Sequence, residues 1–205
     1  MSKKIVIFDM DGTLFAADST KLWLTQQLKQ HFLRFMLGIS IFPIAILLMQ
    51  IKLFKGLGAS LFVWVATVGL TEHQLKQNFS TFVHQLKWFK DALITINEHL
   101  AQNRRVIVVT AAPEWLAQAI ISSVGLPIEV LGTPLKPILG GWVGGKHCRH
   151  QEKIVRLNQI GVTAPWFITY SDHAKDDFPI LINSQYAYLI NASTQHPQFK
   201  HLTWQ

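Results

Sequence analysis

Short apolar runs recur along this chain, and helical patterns separate the later ones. The apolar runs span 5–8, 106–109, 128–131, 166–170 and 187–190, and the helical patterns span about 90–102, 114–124, 151–160 and 176–183. Continuous apolar runs of this length are typical of strands that are buried on both faces of a sheet. Because helices alternate with these strands, the pattern predicts an α/β fold with a doubly wound parallel sheet.

Residues 16–84 break the alternation, because helical patterns follow one another there without an intervening strand. This arrangement predicts a helical cap, inserted between the first strand and the second, above a core formed by residues 1–15 and 85–205. Within the core, the glycines of segment 138–145 predict a hairpin. Pro113 followed by Glu114 predicts a helix that has proline as its first residue.

Composition favours a single domain of 205 residues with a small insert, and a net charge of +7 favours an anionic partner. Hydrophobic residues make up 49% of the chain and charged residues 15%, which is apolar for a soluble enzyme. The single cysteine, Cys148, excludes an intrachain disulfide and is consistent with a reducing compartment. We expect no secretory signal, because Lys3 and Lys4 precede only four apolar residues.

The first apolar run ends in two carboxylates, Asp9 and Asp11, which are followed by Gly12 and Thr13. Side chains at i and i+2 of a strand point the same way, so both acids face the crevice where α/β sheets bind ligands. Two close carboxylates repel each other unless a cation lies between them, and oxygen ligands suit Mg²⁺. The alternative interpretation is an ordinary Asp-Gly turn.

Three later segments place polar side chains in comparable positions. Thr110 ends the second apolar run before a predicted helix, whose first N–H groups can bind phosphate. Lys153, with Lys146 as its rival, can offset the negative charge of such a site. Asp172 and Asp176 follow the fourth run at i and i+4, which suits one metal ligand and one supporting acid. Each feature alone is also explained by a turn, a solvated lysine or a helix cap.

The segment from Asp9 to Leu14 resembles the first motif of the haloacid dehalogenase-like hydrolases. The resemblance implies that Asp9 attacks phosphorus to form an aspartyl-phosphate, and that Asp11 acts first as general acid and then as general base. The dehalogenase branch of the family lacks the second acid, so Asp11 favours phosphate over halide. Thr110 matches the second motif, although Ala111 stands where the family often has glycine.

The remaining motifs resemble the phosphoserine-phosphatase-like branch of this family. Cys148 and Lys153 after a glycine-rich hairpin resemble the third motif, and Asp172 with Asp176 resembles the fourth, where Asp177 is an alternative second acid. The resemblance implies four catalytic residues: Asp9, Asp11, Thr110 and Lys153. It also implies that Asp9, Asp172 and the backbone carbonyl of Asp11 hold Mg²⁺, and that Asp176 or Asp177 supports these groups. The residues that it implies for phosphate binding are Gly12, Thr13, Thr110, Ala111 and Lys153.

The predicted cap has no acid between Ser19 and Thr71, although it contains several lysines. Two stretches within it, 35–51 and 56–71, carry no charge at all, and Pro43 interrupts the first of them. A soluble cap whose helices bury each other is one interpretation. We prefer a helical hairpin that dips into one leaflet of an anionic membrane.

Topology limits the membrane alternatives. Because Asp9 before the cap and Thr110 after it must meet in one site, an odd number of membrane crossings is excluded. Two crossings remain open, but they would place Lys52 and Lys55 on the far side, against the positive-inside tendency.

The acid-free cap argues against an amino-acid phosphate, whose ammonium group would require a carboxylate. Together with segments 140–143 and 170–172, the cap resembles the bacterial phosphatidylglycerophosphatase C group. The resemblance implies hydrolysis of phosphatidylglycerophosphate to phosphatidylglycerol at the cytoplasmic face of the bacterial inner membrane, with the cytoplasm as the alternative location. A soluble phosphatase for a small phosphomonoester and a non-catalytic lipid-binding protein are the competing hypotheses.

Two further patterns carry less weight. His147, Cys148 and His150 lack a fourth ligand at zinc-ribbon spacing. The basic residues are not interleaved with aromatic residues, so we expect no nucleic-acid partner. The sequence leaves the oligomeric state open.

Overall fold

The computed structural model of the chain describes residues 3–51 and 53–205. The strands are β1 (Ile5–Phe8), β2 (Arg105–Pro113), β3 (Glu129–Thr133), β4 (Leu135–Ile138), β5 (Gly141–Gly144), β6 (Trp166–Ser171), β7 (Ser184–Ile190) and β8 (Lys200–Leu202). Six of them form a sheet in the order β3-β2-β1-β6-β7-β8, and each neighbouring pair is parallel. β4 and β5 form an antiparallel hairpin, as the glycines of this segment predicted.

The helices cover both faces of this sheet. They are α1 (Ser19–Gln30), α2 (Phe32–Gln50), α3 (Lys55–Thr67), α4 (Glu72–Phe82), α5 (Lys90–Ala101), α6 (Glu114–Ser122), α7 (Gln151–Gln159) and α8 (Phe178–Ile182). Val6 and Phe8 of β1 lie in one core with α5 and α6, whereas Ile7 lies in a second core with α7 and α8. This alternation buries both faces of the strand and confirms the predicted doubly wound α/β fold.

Two predicted boundaries are wrong, and one strand was missed. β2 extends to Pro113, which still pairs with Thr133, so the proline precedes α6 instead of opening it. α8 begins at Phe178 rather than at residue 176, because the two preceding acids lie in a turn. The three-residue edge strand β8 is too short to leave a recognisable apolar pattern.

Helices α1 to α4 lie between β1 and β2. α2 runs without a break through Pro43, so the expected interruption of this apolar run is wrong. Proline removes one hydrogen bond from a helix, but the turns on both sides persist here. α2 also packs along α3, where the rings of Phe42 and Phe62 lie 6.0 Å apart.

α3 is fixed to the α/β core through the β4–β5 hairpin. The indole N–H of Trp64 donates to the carbonyl of Ile138 at 2.9 Å, and the N–H of Trp142 donates to the hydroxyl of Thr67 at 2.9 Å. A Cβ on Gly141 would lie 2.7 Å from the Trp64 ring, so the glycine allows this close approach. α3 therefore belongs to the folded body of the protein.

The outer face of α2 is apolar and exposed. In that helix only Ala45 is buried. We define the outer face by five of its exposed large apolar residues: Phe32, Leu33, Ile39, Ile44 and Leu47, which are 73%, 81%, 54%, 57% and 65% exposed. Cap packing leaves this face uncovered.

Among residues 3–51 and 53–205, α2 is the single helix that is long and apolar enough to cross a membrane, judged by length and composition only. Two cations that were predicted to flank the apolar runs cannot be placed beside it. Lys52 lies outside the described residues, and so does the side chain of Lys55.

Candidate active site

Three neighbouring strands of the sheet bring predicted site residues to one edge. Asp9 follows β1, Thr110 lies near the end of β2, and Asp172 follows β6, and β1 is hydrogen-bonded to both other strands. All three residues line one cavity of about 1370 Å³. The carboxyl edge of the parallel sheet is therefore a concave, polar site, as in other α/β folds.

A buried lysine joins two acids in this site. Lys153 Nζ donates to Asp9 Oδ1 at 2.6 Å and lies 2.7 Å from Asp177 Oδ1. The three residues are 3%, 8% and 4% exposed, respectively. Burial alone would lower the pKa of Lys153, but Asp177 and Asp9 overcome this effect and raise it. The ammonium group therefore stays charged at neutral pH.

The same contact governs Asp9. Burial raises the pKa of Asp9 well above its ordinary value, and the charge of Lys153 is the main opposing effect. Lys153 therefore favours the ionised form of Asp9 and fixes the orientation of its carboxylate. The rival lysine, Lys146, has a side chain that is 75% exposed and pairs with Glu152 at 2.5 Å.

Asp11 is anchored by the first helix of the cap. The backbone N–H of Ser19, at the start of α1, donates to Asp11 Oδ1 at 2.9 Å. Burial raises the pKa of Asp11 to about 6, although the hydrogen bond from Ser19 acts in the opposite direction. A carboxyl group that titrates near neutral pH can both donate and accept a proton during a reaction.

Asp172 lies directly against Gly12. The backbone of Gly12 has φ +77°, and a Cβ there would lie 2.6 Å from the carboxyl carbon of Asp172. Only glycine satisfies both the left-handed backbone and this close approach. Burial raises the pKa of Asp172, and the nearby charge of Asp177 raises it further.

The donor set fits Mg²⁺. The carboxylates of Asp9 and Asp172 are hard oxygen ligands, and burial raises the pKa of each, so a cation between them would relieve an electrostatic cost. In the described part of the chain, no group of three or more His, Cys, Asp or Glu side chains forms a metal site. The Mg²⁺ assignment therefore depends on the backbone carbonyl of Asp11 as a further ligand.

The two candidate supporting acids have different environments. Asp177 accepts a hydrogen bond from Ser171 Oγ at 2.7 Å and pairs with Lys153. Asp176 instead pairs with Arg149. Burial would raise the pKa of Asp176, but the hydrogen bond and charge of Arg149 outweigh it and lower the pKa. The geometry thus favours Asp177, at i+5 from Asp172, as the supporting acid.

The expected helical turn between Asp172 and Asp176 is absent, because the chain forms an irregular turn before α8 begins. This turn places Asp177, and not its neighbour Asp176, beside Lys153. Of the two acids that the sequence left open, Asp177 is therefore the one that contacts Lys153.

The residues predicted to bind phosphate are only partly brought together. Thr110, Ala111 and Gly12 line the cavity with Lys153. Thr110 is 1% exposed, and its hydroxyl accepts a hydrogen bond from the N–H of Ala112 at 3.1 Å. Because the Thr110 hydroxyl oxygen accepts this hydrogen bond, its own O–H hydrogen points away from the N–H of Ala112.

Thr13 is not among the residues that line the cavity, and its role in binding phosphate stays a prediction. Its side chain is wholly buried, and its N–H donates to the carbonyl of Met10 at 3.2 Å. The N–H of Gly12 likewise donates to the carbonyl of Phe15 at 2.9 Å. The N–H groups of Gly12 and Thr13 are therefore used in hydrogen bonds within the loop.

Two functional candidates were missed at the sequence level. Ser171 holds Asp177, and its position as the last residue of a strand next to Asp172 was a usable signal. Arg149 lines the cavity and holds Asp176, but the separation of 27 positions in the sequence left no local pattern.

Comparison with protein families identifies the scaffold. The family model for haloacid dehalogenase-like hydrolases matches residues 6–181, which includes the charged residues of the site. The chain belongs to this family.

Similar proteins support the fold of this haloacid dehalogenase-like hydrolase. Protein CicA of Caulobacter vibrioides is 26% identical over 193 residues, which cover 91% of this chain and 86% of that protein. A Bordetella pertussis protein of unknown function has a TM-score of 0.76 at 18% identity, with 98% of this chain and 99% of that chain covered. Phosphoserine phosphatase, solved as a phospho-aspartyl intermediate analogue, has a TM-score of 0.61 at 17% identity, with 94% and 88% covered.

Proposed function

We propose that this hydrolase is a Mg²⁺-dependent phosphomonoester phosphatase that forms an aspartyl-phosphate on Asp9. The observation that carries the proposal is the buried Asp9 carboxylate, which Lys153 holds at 2.6 Å in a cavity that it shares with Asp11 and Asp172. The structure of phosphoserine phosphatase, a structural neighbour, was solved as a phospho-aspartyl intermediate analogue.

The residues of the site divide the reaction into two steps. A carboxylate oxygen of Asp9 attacks phosphorus, the P–O bond to the leaving alcohol breaks, and Asp11 donates its proton to that oxygen. A water molecule then gives a proton to Asp11 and attacks the phosphorus, which releases inorganic phosphate and restores Asp9. A pKa of about 6 suits Asp11 to both roles.

Lys153 and Thr110 stabilise the phosphoryl group in this mechanism. Lys153 supplies a fixed positive charge beside the reacting oxygen, and Thr110 can donate its O–H. Asp9, Asp172 and the Asp11 carbonyl would hold Mg²⁺, which neutralises phosphoryl charge when bound. Asp177 positions Lys153 and does not need to contact the substrate.

We propose phosphatidylglycerophosphate as the substrate, with phosphatidylglycerol as the product. The exposed outer face of α2 supports contact with a membrane, since large uncovered apolar patches mark interaction surfaces. No acid lies between Ser19 and Thr71, which favours an anionic surface. This proposal places the protein at the cytoplasmic face of a bacterial inner membrane, with the hairpin of α2 and α3 touching or entering one leaflet.

A substrate panel tests the chemistry and the substrate separately. Purified protein is assayed with Mg²⁺ and, in turn, without it, on phosphatidylglycerophosphate in mixed micelles, phosphoserine, glycerol 3-phosphate and p-nitrophenyl phosphate. We expect phosphate release to be fastest from the lipid and to require Asp9, so that Asp9→Asn abolishes it. Preference for a soluble phosphomonoester would favour the small-molecule phosphatase, and absence of all turnover would favour a non-catalytic lipid-binding protein.

Vesicle binding tests the membrane contact. We expect the protein to sediment with vesicles that contain phosphatidylglycerol, and less with neutral vesicles or after Leu33→Glu and Leu47→Glu together. Both residues lie on the exposed face of α2, so the variant should fold normally. Equal sedimentation with charged and neutral vesicles, unchanged by the two substitutions, would contradict the membrane proposal.

A further inference from the structure

The cavity that contains the catalytic acids does not end at them. The same cavity of about 1370 Å³ is lined by Leu24 and Leu28 of α1, Ile46 and Met49 of α2, and Phe62 of α3. We call these five residues the apolar chamber. One continuous space therefore has a charged end at the sheet and an apolar end within the cap.

The apolar chamber is built from residues at helical spacing. Leu24 and Leu28 are four residues apart and share one face of α1, whereas Trp23 and Gln27 on the neighbouring face are buried. α2 and α3 contribute the opposite walls, where Phe42 also lines the cavity beside Phe62. Three helices thus direct apolar side chains into a space that they do not fill.

The size and lining of this cavity exceed what a small phosphomonoester needs. Pockets for small ligands typically measure about 300–1,000 Å³, and the charged residues alone would bind a phosphate group. Interiors that serve only stability are close-packed, and apolar walls held apart are unfavourable. The occupant that matches this space is a hydrocarbon chain attached to the phosphate that reacts at Asp9.

We propose that the apolar chamber binds a hydrocarbon chain of the substrate and thereby selects long-chain phosphomonoesters. The inference rests on the proposed phosphatase function and adds a specificity site to it. Ile46, which lines the chamber, is 38% exposed and lies on α2, the helix that carries the outer face. In this proposal the hydrocarbon chain lies against α2 while the phosphate faces Asp9.

Chain-length dependence tests the proposal without any membrane. 1-Acyl-glycerol 3-phosphates with chains of increasing length are supplied as monomers, below their micelle-forming concentrations, with glycerol 3-phosphate as the chain-free reference. In the wild-type protein we expect kcat/KM to rise at least about tenfold from the shortest to the longest chain, mainly through KM, because each methylene group adds hydrophobic binding energy. An equal kcat/KM for all chains would overturn the proposal and leave the phosphatase function intact.

A matched pair of variants on α1 locates the effect. Leu28→Trp fills the chamber, whereas Leu22→Trp adds the same bulk at a position that is 46% exposed and outside the cavity lining. We expect Leu28→Trp to remove the preference for long chains and Leu22→Trp to keep it. Equal preferences in the two variants would overturn the proposal. Ala59→Phe, which fills the cavity from α3, replaces Leu28→Trp if that variant does not fold.

A binding measurement separates this inference from the proposed function. If no phosphomonoester is hydrolysed, the phosphatase proposal fails, and titration with monomeric dodecyl phosphate still tests the chamber. Binding that Leu28→Trp weakens at least about tenfold, but Leu22→Trp does not, would support it. Binding that is absent, or equal in the three proteins, would overturn it.

Discussion

The carboxyl edge of the sheet and the outer face of α2 differ in almost every physical property. At the sheet edge, Asp9, Lys153 and Asp177 are nearly completely buried, and each charge has a partner within 2.7 Å. On α2, residues such as Leu33 and Leu47 are apolar and exposed to 81% and 65%. One region buries charge, and the other exposes hydrocarbon.

Each arrangement is unfavourable unless it binds something. Buried carboxylates raise each other's pKa and are stabilised by a cation, whereas exposed apolar surface is stabilised by an apolar partner. The contrast therefore assigns different tasks to the two regions. In the proposed function, the sheet edge acts on a phosphoryl group and the cap selects the molecule that carries this group.

The largest effect is expected from Lys153→Met, compared with Lys146→Met as the control. Loss of the buried ammonium leaves Asp9 and Asp177 without their partner, so kcat should fall about 10³-fold and the protein should lose about 3 kcal/mol of stability. Lys146 is exposed, and its variant should retain wild-type activity and stability. Steady-state kinetics and urea unfolding measure both. Comparable losses of kcat and stability in the two variants would refute the assignment of Lys153, rather than Lys146, to the site.

Asp11→Asn should lower kcat for an alkyl phosphate about 10²-fold, because the leaving oxygen loses its proton donor. The loss should be smaller for p-nitrophenyl phosphate, whose leaving group is a weaker base. Burial raises the pKa of Asp11 to about 6, so the protonated donor disappears as the pH rises above that value. The rate of Asp9 phosphorylation, measured by rapid quench, should therefore fall above pH 6 in the wild type.

The variant provides the control for this pH dependence. Asn at position 11 does not titrate, so the fall above pH 6 should vanish in Asp11→Asn. A fall that persists in the variant would assign the titration to another group.

Asp177→Asn and Asp176→Asn form an adjacent pair with different expected effects. Asp177 holds Lys153, so its loss should reduce activity about tenfold, within the range for residues that orient catalytic groups. Asp176 pairs with Arg149 at a partly exposed position, and its loss should change activity less than about twofold. If the Asp176 variant were the weaker enzyme, the assignment of the supporting acid would be reversed.

The smallest effect is expected within the cap. Leu47→Ser lies on the exposed face of α2 and should change the free energy of unfolding by less than about 0.5 kcal/mol. Val65→Ser, on α3 and 1% exposed, should cost about 2 kcal/mol. Urea unfolding without lipid compares them. Equal destabilisation would show that the outer face of α2 is covered in the protein.

Local sequence patterns were enough to predict much of the core and the acids at the edge of its sheet. The apolar run before Asp9 specifies a strand buried on both faces, and the pair at i and i+2 needs only the pleat of that strand to converge. Asp176 and Asp177 show the limit of such reasoning. They are neighbours in the chain, but a turn of irregular backbone directs only one of them to a lysine more than twenty residues earlier.

The sequence by itself determined the alternation of strands and helices, the acids at the strand ends and the acid-free cap, because these depend on short-range periodicity and composition. The tertiary structure alone decided that Asp177 and not Asp176 meets Lys153, and that apolar residues of α1, α2 and α3 line the same cavity as Asp9, Asp11 and Asp172. These outcomes depend on how distant segments pack against one another, and no local pattern encodes that packing.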